Sequence, residues 1–111
     1  MKIKTQDYND VTVISLQGEL DVDSTNILKN SISGIIDKKI SGIVLDMSEI
    51  GFIDSIGLER LLWAKDYCGD NNCQLRLAGL DESCRKILEI TRLENEFDRY
   101  TELSEAVKSF A

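Results

Sequence analysis

Ile43-Val44-Leu45-Asp46-Met47, then Ser48-Glu49-Ile50-Gly51-Phe52-Ile53, then Asp54-Ser55-Ile56-Gly57-Leu58-Glu59-Arg60-Leu61-Leu62, is the stretch from which the rest of the chain is read. The unbroken apolar run Ile43 to Leu45 suits a strand covered on both faces. Gly51 punctuates a short loop after it. Asp54 or Ser55 suits a helix N-cap, because its side-chain oxygen can accept from a free amide of the first turn. Leu58, Leu61 and Leu62 then recur at helical spacing. Ser55 is therefore expected at a helix N-terminus, past the end of a strand and near solvent. Such a helix end carries unpaired N–H groups and a partial positive charge, so it accommodates an anion. Phosphate on Ser55 would add about −1.5 to −2 charges there. Asp-Ser ahead of an apolar helix is also a common cap, and the dipeptide alone does not separate the two uses.

Outward from that stretch, strands and helices alternate. Residues 2–8 alternate weakly and read as an edge strand. Tyr8-Asn9-Asp10 gives a turn into the stronger strand Val11 to Leu16, so the two predict a hairpin. Gly18 is expected to end that strand, and Glu19-Leu20-Asp21 to form a loop, with Asp23 or Ser24 capping the next helix. Leu28, Ile32, Ile35 and Ile36 mark one face of a helix over about 24–38, with Lys38 and Lys39 in its last turn, where positive charge suits the dipole. The helix after Ser55 runs to about Cys68 and carries Trp63 and Tyr67 four apart, a contact patch or an edge of the core. Gly69 to Asn72 is a turn, Gln74 to Ala78 a strand closed by Gly79, and Asp81 the cap of a helix bearing Cys84, Ile87, Leu88 and Thr91. Phe97 to Tyr100 reads as a short last strand, and Thr101 as the cap of a final helix with Leu103, Ala106, Val107 and Phe110. This alternation predicts an α/β layer fold. The sheet is small, mixed and mostly parallel, with an N-terminal hairpin, packed by about four helices. Loops at the carboxyl ends of parallel strands gather on one edge. That would bring the segment Gly18 to Asp23 close to the segment Ser48 to Ser55.

Composition narrows the function classes. The chain of 111 residues fits one domain over 1–111. Thirteen basic residues against twenty acidic ones give a net charge of −7, which argues against nucleic acid or an anionic membrane as the main partner and permits a basic protein. The three cysteines, Cys68, Cys73 and Cys84, have no Cys-x-x-Cys spacing. They read as reduced thiols in a cytoplasmic setting, most simply as small core residues. The absence of histidine removes His-dependent triads, imidazole bases and most zinc sites. No signal-peptide core and no membrane-length apolar window appear. There is no Gly-x-x-x-x-Gly-Lys phosphate loop. No metal and no organic cofactor are expected in the resting domain, and no catalysis of its own.

Asp54-Ser55-Ile56-Gly57-Leu58, preceded by Ile43 to Asp46 and by Phe52-Ile53, resembles the signature of the STAS domain, and more narrowly that of bacterial anti-sigma factor antagonists, whose serine in Asp-Ser-x-Gly-Leu is phosphorylated. Gln17-Gly18-Glu19-Leu20-Asp21 is similar to that family's Gly-Glu-Leu-Asp landmark. Ile87 to Leu93 with Phe97 resembles its late helix and last strand. The resemblance implies the same architecture. It also implies a binding module that, unphosphorylated, binds an anti-sigma factor serine kinase and so frees a sigma factor. Phosphorylation on Ser55 would release it, and a serine phosphatase would reset it. The partner-binding residues carried over are Asp21, Asp23, Asp54, Ser55, Ile56 and Gly57. Ile56 stands where small residues are usual and Glu59 where a second glycine is common, so the partner surface differs from the commonest pattern.

These residues also have plainer readings. Asp21, Asp23, Asp46 and Asp54 form an acidic set around Ser55, or serve as caps and turn formers. At Gly57 a side chain would crowd an approaching partner backbone, or the glycine is only tolerated beside a cap. Ile56 is an apolar docking contact or tucks under the helix. A receiver domain phosphorylated on Asp46 needs an acidic pair after its first strand and a late lysine, and Leu16-Gln17-Gly18 and the strand Leu75 to Ala78 offer neither. A hydrolase with Ser55 as nucleophile lacks an evident base. The rival with the same fold is a STAS scaffold or ligand-sensing subunit that is never phosphorylated.

Overall fold

A computed structural model describes residues 1–110. Five strands form one sheet: β1 (Lys2–Tyr8), β2 (Val11–Leu20), β3 (Gly42–Ile53), β4 (Gln74–Ala78) and β5 (Asp98–Tyr100). They lie side by side in chain order. β1 runs antiparallel to β2, and the remaining pairs are parallel. The helices are α1 (Thr25–Ile36), α2 (Ser55–Asp70), α3 (Glu82–Ile90) and α4 (Leu103–Lys108), with a single 3-10 turn at Glu94–Glu96. The architecture is the mixed, mostly parallel sheet with an opening hairpin and four helices that the alternation predicts.

Side-chain alternation along the central strands sorts the core into two layers. Ile14, Leu16, Ile43, Leu45, Met47, Leu75 and Leu77 point to one face, where they meet Leu28 and Ile32 of α1, Leu58 and Leu61 of α2, and Cys84 and Leu88 of α3. Val11, Val13, Val44 and Ala78 point to the other, covered by Leu103, Ala106 and Val107 of α4 and by Phe110 just after it. Burial on both faces explains why β3 begins as a continuous apolar run.

The largest departure from expectation lies beyond the parallel core. Ser48 to Ile53 is not a loop, and Gly18 does not end β2. Both strands run on together, pairing Gln17 with Glu49, Gly18 with Ile50, Glu19 with Phe52 and Leu20 with Ile53. Register shifts fall between Ser15 and Gln17 and between Gly18 and Glu19. The bulged backbone is set locally: Asp46 accepts from the Ser48 amide at 3.1 Å, and Gly18 takes φ +127°, a conformation glycine adopts without strain.

Three capping expectations also change. Ser24 occupies the N-cap position of α1 but makes no side-chain cap hydrogen bond. Its hydroxyl donates to the Glu19 carbonyl at 2.7 Å and accepts from the Asp21 amide at 2.9 Å instead. α1 closes at Ile36 with Asp37 as its C-cap, so Lys38 and Lys39 fall in the following turn, where Lys39 has φ 56°. α4 is preceded by Glu102 rather than Thr101 at the cap position, again without a side-chain bond. Asp81 caps α3 as expected, accepting from Cys84 at 2.8 Å.

Candidate functional site

The extended ends of β2 and β3 carry the segments that begin α1 and α2, and so bring the predicted site residues to one end of the molecule. Asp54 is the N-cap of α2: its carboxylate accepts from the Gly57 amide at 2.7 Å and its carbonyl from Leu58 at 2.9 Å. Asp54's own amide donates to the Leu20 carbonyl at 3.2 Å, which ties the helix start to the tip of β2. Ser55 is the first residue of the helix, not its cap, and is exposed. Amides at this end have no carbonyl one turn back to bond, and the helix dipole adds positive potential.

Gly57 is buried. A Cβ built on it would collide with the Leu20 carbonyl oxygen and stand 2.9 Å from the carbonyl carbon and 3.0 Å from Cγ of Leu20. What a side chain here would crowd is therefore β2 of the same chain. The glycine lets α2 seat directly on the strand end, and that seating sets where Ser55 points.

The loop after β2 is tightly wound. Asp21 accepts from the amides of Asp23 and Ser24 at 3.1 and 3.2 Å, so its carboxylate builds the turn while Asp23 remains exposed. Asp46 is not brought to this edge. It pairs with Ser15 and Ala78 lower in the sheet, because β3 runs on past it to Ile53.

The sequence reading missed exposed apolar side chains on the strand ends and helix starts. Val22 at the loop, Phe52 at the end of β3 and Ile27 on α1 are 61%, 49% and 44% exposed, and Ile56 beside the serine 39%. The register places Phe52 opposite Glu19, next to the Leu20–Ile53 pair. A single valine between Asp21 and Asp23 was the available signal for such a surface: an apolar side chain in a turn that has no core to enter. Ile56 is thus not tucked under the helix.

Trp63 and Tyr67 stack at 4.8 Å with 14° between rings, half-buried against the core. Arg60 and Lys29 lie 5.2 and 5.8 Å from the tryptophan ring, so the pair is a core edge with its outer faces lined by cations. All three cysteines are free and buried. Burial first, then Asp81, pushes the Cys84 thiol up to about 12. Among the described residues, no group of three or more His, Cys, Asp or Glu is placed to hold a metal. No helix of the described residues is long and apolar enough to cross a membrane.

The fold and site define a small single-sheet α/β domain, its strands in chain order and an exposed serine opening α2. The chain belongs to the STAS domain family, whose model matches residues 2–108. It is 23% identical over 105 residues to the anti-sigma-F factor antagonist RsfB of Mycobacterium tuberculosis, covering 95% of this chain and 85% of that one. The fold superposes on an anti-sigma factor antagonist from Mycobacterium paratuberculosis with a TM-score of 0.86 at 23% identity, covering 97% and 92% of the two chains. It superposes on SpoIIAA in its unphosphorylated form with a TM-score of 0.82 at 20% identity, covering 98% and 96%. The phosphorylated form of the Bacillus SpoIIAA gives 0.76 at 20% identity, covering 99% and 100%. These structural likenesses bear on the fold.

Proposed function

We propose that this domain is an anti-sigma factor antagonist switched by phosphorylation of Ser55. Unmodified, it binds an anti-sigma factor serine kinase in the cytoplasm and so frees a sigma factor. Phosphorylated, it lets go, and a serine phosphatase restores it. It is a binding module with no reaction of its own. The observation that carries the reading is the exposed Ser55 at the first residue of α2, one residue after a cap already supplied by Asp54. The serine is thus free of a structural duty, and its hydroxyl can be modified without removing the cap. The names of the relatives support the same reading.

The docking surface consists of Asp21, Asp23, Asp54, Ser55, Ile56 and Gly57, with Val22 and Phe52 added by their exposure. Gly57 contributes through backbone position rather than contact. Phosphate at Ser55 meets the positive end of α2, so the free domain keeps its shape. It adds charge next to Asp54, and burying it against a partner costs desolvation and repulsion. A tenfold loss of affinity needs only about 1.4 kcal/mol.

The test is incubation with candidate kinases encoded beside this gene, followed by site mapping and pull-down. The expected phosphosite is Ser55. Ser24 and Thr25 are buried and remain unmodified. Ser55→Asp loses the kinase at least tenfold, while Ser55→Ala binds and is not released by ATP. Phosphate on Ser48 or Thr25, or wild-type affinity of Ser55→Asp, would refute the switch. Absence of any phosphorylation would favour the scaffold or ligand-sensing alternative.

A further inference from the structure

α2 ends in a Schellman turn. Asn72 has φ 57°, its amide donates to the Gly69 carbonyl at 3.3 Å, and the Cys73 amide reaches back to the Cys68 carbonyl at 2.8 Å. Such a turn brings the side chain near the end of the helix against the one just beyond it. α3 ends the same way: Arg92 has φ 61°, its amide meets Glu89 at 3.0 Å, and the Leu93 amide meets Leu88 at 2.8 Å. There the two facing side chains are leucines, an ordinary apolar contact. At the end of α2 they are the thiols of Cys68 and Cys73, both buried.

We propose that Cys68 and Cys73 are a modification site, a dithiol that a hydroperoxide converts into a disulfide across the turn at the end of α2. A Cα lies about 2.4 Å from its own carbonyl oxygen and about 1.46 Å from its own nitrogen, so across the 2.8 Å backbone hydrogen bond the two Cα atoms are at most about 6.7 Å apart, inside the separation of about 7 Å that a disulfide permits. Both thiols are buried, but Gly69 to Asn72 between them are exposed, so local opening of this one turn admits a small oxidant. One sulfur of the pair, as thiolate, attacks the peroxide. It takes one peroxide oxygen to become a sulfenic acid, and water leaves. The other sulfur then displaces that oxygen as a second water and forms the S–S bond. The dithiol loses two electrons and two protons, and hydrogen peroxide is reduced to two waters. Cys84 takes no part. It sits on α3, its thiol directed at the Ile50 carbonyl at 3.7 Å.

The test uses the folded full chain treated with hydrogen peroxide, then trypsin and mass spectrometry. Both cysteines fall in one peptide, Asp66 to Arg76. In the wild type and in Cys84→Ala this peptide becomes lighter by two hydrogens, and a dithiol reductant restores it. Thiol titration falls from three groups to one in the wild type. In Cys68→Ala and in Cys73→Ala no such product forms. A peptide of unchanged mass, a bridge that forms only in urea, or a bridge that includes Cys84 would each overturn the proposal. Should Cys68→Ala not fold, the wild type and Cys84→Ala decide it alone.

Discussion

Replacing Gly57 by alanine should destabilise the domain, and replacing Gly69 by alanine in the same helix should stabilise it. At Gly57 the new methyl meets the Leu20 carbonyl, a backbone group that also accepts the Asp54 amide at 3.2 Å. Neither side can yield cheaply: moving the helix start breaks that bond, and moving Leu20 disturbs a fully buried side chain and its pairing with Ile53. Forced overpacking of this kind costs about 1–3 kcal/mol, and an obstructing backbone atom puts Gly57→Ala in the upper half of that range. At Gly69 nothing lies within 4 Å of the added Cβ, and alanine's helix propensity contributes about 0.5–1 kcal/mol of stability. The two variants should then differ by roughly 2.5–4 kcal/mol. Urea unfolding reads this directly, as opposite shifts of the midpoint at unchanged slope. In a domain of this size each kcal/mol also moves Tm by about 4 °C. If Gly57→Ala matched or exceeded the wild type, the seating of α2 on β2 would not be what requires glycine there.

Asp54→Ala should cost about 0.5–2 kcal/mol through the lost cap, whereas Ser55→Ala should leave the urea midpoint nearly unchanged; the reverse order would make the serine the cap. Cys84 bears on alkaline stability. Its folded value of about 12 exceeds the ordinary 9.0, so its contribution is fully present below pH 9 and is lost as pH rises towards 12. At pH 10 the unfolded state gains about 1.4 kcal/mol from thiolate formation. Cys84→Ala should therefore show a flatter loss of stability than the wild type between pH 8 and 10 in urea titrations, and parallel curves would refute the assignment. Iodoacetamide should label Cys84 at pH 8 only after denaturant is added, and rapid labelling of the native protein would contradict its burial.

The elements that were legible in the chain are those whose pattern and punctuation agree. Gln74 to Ala78 alternates and is closed by Gly79, and Asp81 stands where a cap is needed; both are found where they were read. The upper part of β3 was not legible. Ser48, Glu49 and Gly51 look like loop residues, and only the neighbouring Gln17 to Leu20 supplies the hydrogen-bond partners that make them a strand. Ser24 was misread for a similar reason: its hydroxyl was the right type for a cap, but the Glu19 carbonyl and Asp21 amide claim it. At the site, the motif identified Ser55 and its exposure, while the role of Gly57 depended on a contact with Leu20, thirty-seven positions earlier in the chain. Val22 and Phe52 became site candidates only when their exposure was visible.

The order of the strands bears on how the domain is made. Because β1 to β5 lie side by side in the sequence in which they are synthesised, no strand has to wait for a later one to fill a gap between two earlier ones. The hairpin can close first, β3 can dock on β2 once α1 has folded back, and each further unit adds to an existing edge. Every closure spans only the neighbouring unit, which keeps the entropy of each step small. The last edge is also the weakest, since β5 has three residues and α4 six. In pulse-labelled refolding, amides of β2 and β3 should gain protection before those of β5. A nascent chain arrested once Gly79 has emerged from the ribosome should already protect the β2–β3 amides, so that the surface bearing Ser55 takes shape before the carboxyl-terminal edge is free to fold.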